Sequence, residues 1–177
     1  AYSSAMTPPP NYRLIESNIR FDARKDIPGW QTADPSELGF VSSEEIGSWG
    51  DSPWNNLVLR PIPQWKDFGI TEAQSLEIKP GAVRDTVRVQ FPYNMQMTPI
   101  IRVNEPNGGR EIEILTDHTY SGAEINLRAE YVTRQGSQEY ESLGWLNGHA
   151  LLLIKEPGIE IESVAWRETG YAAEPTG

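Results

Sequence analysis

The stretch Val87-Arg88-Val89-Gln90-Phe91 alternates apolar and polar side chains one for one. That is the period of a strand with one face buried and one in water, because successive side chains of extended backbone point to opposite sides. Working outward, the pattern recurs. Residues 99–103, Pro-Ile-Ile-Arg-Val, form a strand-like stretch that ends in the loop-forming Asn104-Glu105-Pro106-Asn107-Gly108-Gly109. Residues 111–115 alternate again, as do 124–132, before the turn Arg134-Gln135-Gly136. A weaker strand or loop reaches Trp145, the strand-like stretch 149–154 follows, and Pro157-Gly158 precedes another at 159–166. No window of twelve or more residues carries the 3.6-residue apolar period of a helix. Short strands at regular spacing, separated by glycine, proline and asparagine, predict an all-β chain, an antiparallel β-sandwich of about six to eight strands.

Upstream of this block the character changes. The first ten residues, Ala-Tyr-Ser-Ser-Ala-Met-Thr-Pro-Pro-Pro, read as an extended arm, since consecutive prolines fix φ and remove backbone donors. From Asn11 to Gly69 proline and glycine recur so often that only short strand-like pieces fit, at 13–21, 39–42 and 56–59. A helix at 42–48 would be the exception to the all-β reading. Four of the six tryptophans, Trp30, Trp49, Trp54 and Trp65, lie in this irregular stretch. Large indoles rarely belong to a linker. They are expected to dock on the core or on a neighbouring subunit, or to serve as flat platforms for sugar rings. The predicted organisation is an irregular extension at 1–70 and a β-sandwich at 71–177.

Fifteen basic residues against 25 acidic ones give a net charge of -10. A duplex nucleic-acid binder needs a basic face to displace counterions from phosphates, so nucleic acid is a poor partner. The longest apolar run, residues 150–154, is far below the roughly 20 residues of a membrane-spanning helix, so no membrane insertion is expected. The reading is of a soluble protein, compatible with the cytoplasm or with secretion. The 177 residues include no cysteine, which excludes thiol catalysis, thiolate metal sites and disulfide scaffolds. The two histidines, His118 and His149, are not spaced as a ligand pair, and neither metal nor cofactor is expected. No G-x-S-x-G nucleophile elbow occurs, and Gly108-Gly109 lacks the lysine and helix of a phosphate loop. Acidic pairs such as Glu111/Glu113 and Glu160/Glu162 alternate with isoleucine, the outward pattern of a half-buried strand. None of these residues argues for an enzyme.

Residues 81–154 resemble the H-type lectin family, the snail-agglutinin and discoidin C-terminal type of carbohydrate-binding domain. Four features carry the resemblance. The first is Val87-Arg88-Val89-Gln90-Phe91-Pro92 followed by Thr98-Pro99-Ile100-Ile101-Arg102-Val103, similar to a phenylalanine strand preceding a proline-led one. The second is Leu127-Arg128-Ala129-Glu130-Tyr131-Val132-Thr133 leading to the Gly136 turn. The third and fourth are Trp145, about nine residues on, and the apolar strand after it. The match covers under half of the chain.

The resemblance implies a six-stranded antiparallel sandwich that assembles as a homo-trimer or hexamer. It further implies a non-catalytic lectin for galactose or N-acetylgalactosamine-type sugars on glycans or glycoconjugates. By position, Arg128 corresponds to a sugar-contacting arginine and Trp145 to the tryptophan at the edge of the site. Asn147 matches an asparagine two residues on, and Asp85 an acidic loop residue before the phenylalanine strand. The chain departs from the family at Leu146 and Leu151, where a histidine and a tyrosine are common. An arginine and an acid can grip vicinal hydroxyls while an indole covers the sugar's apolar face. Two rival readings use the same sandwich: a structural or assembly protein without sugar binding, such as a tail-fibre or coat component, and a carbohydrate-active enzyme with a carboxylate pair.

Overall fold

The computed structural model describes residues 2–4, 19–34, 36–117 and 129–172. The chain is all-β, as its alternation predicts: ten strands and one 3-10 turn among the described residues. In chain order they are β1 (Tyr2–Ser4), β2 (Ile19–Asp22), β3 (Trp65–Glu72), β4 (Glu77–Lys79) and β5 (Asp85–Glu105). Then follow β6 (Glu111–Thr116), β7 (Ala129–Val132), β8 (Gly136–Glu141), β9 (Leu146–Lys155) and β10 (Glu160–Tyr171).

The two expected strands at 87–91 and 99–103 are halves of one, the 21-residue β5. Its break falls at Phe91-Pro92-Tyr93-Asn94. Between Gln90 and Met95 the strand advances five residues while its partner β9 advances two, from Ala150 to Gly148. Pro92 lacks the N–H that a central ladder needs, so a bulge and a bend are accommodated here. Before the bend β5 lies between β4 and β9, and β9 continues the sheet through β6, β7 and β2 to β1. After it β5 lies between β8 and β10, and β10 carries β3 at the edge. The sheet thereby curls into two layers that share one long strand.

One core fills the space between them. Val87, Val89, Ile112, Ile114, Leu151 and Leu153 come from one layer. Met97, Ile101, Val103, Val164 and Trp166 come from the other. Phe91, at the bend, meets Trp166 edge-on with ring centroids 4.9 Å apart. At one end Phe21, Tyr131 and Tyr140 stack with centroid separations of 4.6 to 6.0 Å, tying β2, β7 and β8 together. Loop 105–110 is locked by a fully buried carboxylate, Glu105, which accepts from Arg110, from the Asn107 N–H and from the Thr133 hydroxyl. Burial alone would push that carboxyl upward, but the guanidinium and backbone donors outweigh it and hold it below the ordinary glutamate value.

Several local expectations change. The pieces at 39–42 and 56–59 are not strands, and 42–48 is not a helix. Of the expected strand at 13–21 the described part is β2, which pairs parallel to β7 rather than antiparallel. The expected strand at 124–132 is described only from Ala129 onward. Strands β3 and β4 carry no sequence signal. All eight residues of β3 are exposed, so neither face imposes a buried pattern, and pairing with β10 alone makes it a strand. Its free edge is broken at Gly69, whose φ of 101° and N–H bond of 2.7 Å to Asp67 form a bulge that few other residues would adopt. The extension is thus joined to the body by β2 and by β3. In the single chain its indoles stay open to solvent, with Trp49 80% exposed and Trp30 54%.

Candidate functional site

Of the residues expected to hold a sugar, Trp145 and Asn147 are neighbours in the chain, and Asp85 stands apart from Asn147. Asp85 opens β5 opposite Lys155, and Asn147 lies near the other end of β9 opposite Gln96. At the rise of a strand, the eight residues between those two positions on β9 span roughly 25 Å. Asp85 is also engaged: Lys155 Nζ, itself buried, stands 3.0 Å from its carboxylate. This partner holds the Asp85 carboxyl below the ordinary aspartate value. Trp145 is half-buried immediately before β9, beside Gly144, at which a Cβ would come within 3.1 Å of Ile19. Asn147 is half-buried in β9 itself. Arg128 and His118 lie outside the described residues. The imidazole-bearing His149 is exposed in β9, where its backbone N–H donates to Asp117 Oδ1 at 2.8 Å. Among the described residues no group of three or more histidine, aspartate or glutamate side chains could hold a metal ion.

A site does form elsewhere, between the extension and the sheet. Residues 25–31 and Phe40 stand against the ends of β8 and β10 and border a cleft of about 800 Å³. That volume is within the roughly 300–1,000 Å³ of small-molecule sites. Two walls of different chemistry line it. The extension contributes an apolar patch of Ile27, Trp30 and Phe40, each substantially exposed, and beside it Lys25, Asp26 and Gln31. The sheet contributes Thr98 of β5, Glu139 and Glu141 of β8, and Arg167 and Thr169 of β10. Strand alternation explains the second set: Met97 and Ile101 point into the core, so Thr98 between them turns outward. In the ladder Thr98 lies opposite Arg167, and Ile100 lies opposite Glu141.

The polar wall is organised around Arg167. Its Nε lies 2.5 Å from Glu141 Oε1 and its Nη2 3.1 Å from Oε2, a bidentate fork. Its Nη1 reaches Asp67 Oδ2 on β3 at 2.6 Å. The bonds to Glu141 and Asp67 raise the guanidinium's already high pKa, so it stays cationic. Asp67 is held below the ordinary value by the Gly69 N–H and by Arg167. The Thr98 hydroxyl donates to Glu141 Oε1 at 3.3 Å, so three donors fix that carboxylate. A carboxylate offers about four acceptor positions, which leaves Glu141 capacity for a ligand hydroxyl. Glu139 is paired with Arg102 at 2.5 Å. A preset array of charged acceptors and donors beside an aromatic wall is suited to binding polyhydroxylated molecules.

Sequence reasoning named Trp30 together with Trp49, Trp54 and Trp65 as docking residues or sugar platforms, and none of the polar wall. The only signal for it was parity: Glu139 and Glu141 share one face of a strand. Arg167 and Asp67, 100 residues apart, give no local sign of their contact.

Comparison with solved structures bears on the fold. The chain is similar to part of an α-L-rhamnosidase from Dictyoglumus thermophilum, with a TM-score of 0.60 and 20% identity over 89% of this chain. It spans only 19% of that protein. A GH78 family rhamnosidase from Bacillus sp. GL1 matches with a TM-score of 0.45 and 14% identity, over 56% of this chain and 11% of that one. The CBM32-1 and CBM32-2 domains of a Clostridium perfringens protein match with a TM-score of 0.34 and 11% identity, over 60% of this chain and 34% of theirs. No family model matches the chain, and no curated protein matches it. What the first of these establishes is a shared all-β fold that includes most of the extension.

Proposed function

We propose that the chain is a non-catalytic carbohydrate-binding module whose ligand occupies the cleft between residues 25–31 with Phe40 and strands β5, β8 and β10. The observation that carries this reading is the wall of Thr98, Glu141 and Arg167, oriented before any ligand arrives and set beside exposed aromatic rings. Sugar hydroxyls are both donors and acceptors, and a fixed carboxylate–guanidinium pair offers both complements without reorganising. Both cleft carboxylates of β8 are engaged by guanidinium groups, Glu139 by Arg102 and Glu141 by Arg167. Neither is placed as an unengaged acid or base, which favours binding over glycoside hydrolysis.

The finer form of the proposal follows the resemblance to H-type lectins: a galactose or N-acetylgalactosamine-type sugar, bound multivalently by a homo-oligomer. Weak single sites gain avidity when several are linked. Support for self-association comes from the extension, where Val41, Trp49, Val58 and Leu59 are 80 to 96% exposed. So much apolar surface is unusual on a monomer. The same observation favours the assembly-protein reading, in which these side chains join subunits and no sugar binds.

The test is a glycan array probed with labelled full-length chain, with and without chelator, alongside the Arg167→Ala variant. Chelator-insensitive binding that the variant loses, with its melting temperature little changed, is expected. A blank array from folded, oligomeric protein would overturn the reading in favour of assembly.

A further inference from the structure

The two walls of the cleft do not suit a plain sugar equally. On the sheet side Thr98, Glu141 and Arg167 offer sugar hydroxyls both donors and acceptors. On the extension side Lys25, Asp26 and Gln31 also line the cleft, but Ile27, Trp30 and Phe40, joined by Leu143 from the β8–β9 loop, form an apolar patch with no side-chain acceptor of its own. A sugar hydroxyl turned toward them would lose water without replacement, at a cost of about 1–3 kcal/mol each. Ser142 Oγ and Thr169 Oγ1, both from residues lining the cleft, are buried and have no hydrogen-bond partner among the described residues. Ser142 is 2% exposed, and an orphaned buried hydroxyl is a standing cost unless something bonds to it.

We infer that the cleft takes an amphiphilic glycoside. The saccharide lies on the Thr98, Glu141 and Arg167 wall, while an aromatic aglycone packs against Trp30, Phe40 and Leu143. The inference rests on the carbohydrate-binding reading above and names the ligand class for the same site. The size agrees. About 800 Å³ exceeds what one sugar ring fills, and the patch of Ile27, Trp30, Phe40 and Leu143 offers apolar surface to the remainder of a larger ligand. Trp30 and Phe40 project from the extension and give flat surfaces to which a planar aglycone is complementary.

Calorimetric titration of the full chain tests it, with three probes for each sugar in a panel of common hexoses, deoxyhexoses and N-acetylhexosamines. The probes are the 4-nitrophenyl glycoside, the methyl glycoside of the same sugar, and free 4-nitrophenol. The expected result is one sugar whose 4-nitrophenyl glycoside binds at least about tenfold more tightly than its methyl glycoside, with 4-nitrophenol binding far more weakly than either. Trp30→Ala, at a position 54% exposed and so not needed for folding, should narrow that gap. Thr169→Val should weaken both glycosides together. Equal affinities for the two glycosides would overturn the inference while leaving carbohydrate binding standing. Free 4-nitrophenol binding as tightly as its glycoside would overturn it too, by showing an apolar pocket without sugar recognition. Binding of no glycoside of either kind would overturn both this inference and the reading beneath it.

Discussion

Phe21 is the residue whose removal tests most directly how the extension is held to the body. It is 9% exposed on β2, with its ring 5.2 Å from Tyr140 and 6.0 Å from Tyr131 in stacked geometry, and it also lines the cleft. Phenylalanine-to-alanine changes in cores cost about 3–5 kcal/mol, from lost transfer energy and the cavity left behind. β2 is only four residues long and near the rim of the sheet, so neighbours can partly close the gap. About 3 kcal/mol is therefore expected for Phe21→Ala. With a urea slope of roughly 2 kcal/mol per molar, the unfolding midpoint should fall by about 1.5 M. Phe21→Leu keeps most of the volume and should lower it by about 0.5 M, for a cost of about 1 kcal/mol. The assay is urea unfolding followed by far-ultraviolet circular dichroism and by tryptophan fluorescence. Coincident transitions with an unchanged slope indicate that β2 belongs to the cooperative core. A midpoint shift below about 0.3 M, at unchanged slope, would refute the claim that this ring is part of it.

Three further outcomes are expected. Arg24 bonds to Asp22 and depresses its carboxyl to about 2, so the stabilisation is present above the unfolded value near 4 and is lost as pH falls through about 2. The melting-temperature gap between wild type and Asp22→Asn should accordingly close between pH 4 and pH 2, and a constant gap would contradict this linkage. Asp85→Asn should lower the melting temperature by leaving Lys155 buried without its counter-charge, yet leave glycan-array binding intact; loss of binding in a fully folded variant would restore Asp85 to the site. Gly148→Ala would bring a Cβ within 2.7 Å of Thr116 Cβ and 2.8 Å of Asp117 Oδ1, which also accepts the His149 and Ala150 N–H groups. Overpacking of this kind costs about 1–3 kcal/mol, readable as a lower urea midpoint, and a neutral result would mean that β9 and β6 can move apart there.

The strands that could be read in advance are those with one dry and one wet face. Val87, Val89 and Phe91 are buried, and the polar residues between them are not. The same holds for Ile112 and Ile114 between glutamates that pair with Arg20 and Arg84. β3 was illegible because both of its faces are solvated, and β4 because three residues carry no period. The site was legible only in part. Trp30 could be named, with Trp49, Trp54 and Trp65, as a large indole in an irregular stretch, whereas nothing near Arg167 announces a fork to Glu141 or a contact with Asp67.

Alternation, charge and the absence of cysteine thus determine by themselves that this chain is all-β, acidic, and stabilised by an apolar core without disulfide bonds. These are properties of single strands and of composition, set by the two-residue period of extended backbone and by burial. The tertiary structure alone decided that one strand serves both layers, that Asp85 and Asn147 stand toward opposite ends of the β5–β9 ladder, and that residues 25–31 and Phe40 border a cleft over β8 and β10. Those outcomes depend on which strands pair and where Pro92 lets β5 bend. Pairing is a choice among many sequence-distant partners with similar local chemistry, and it is settled only when the whole core closes.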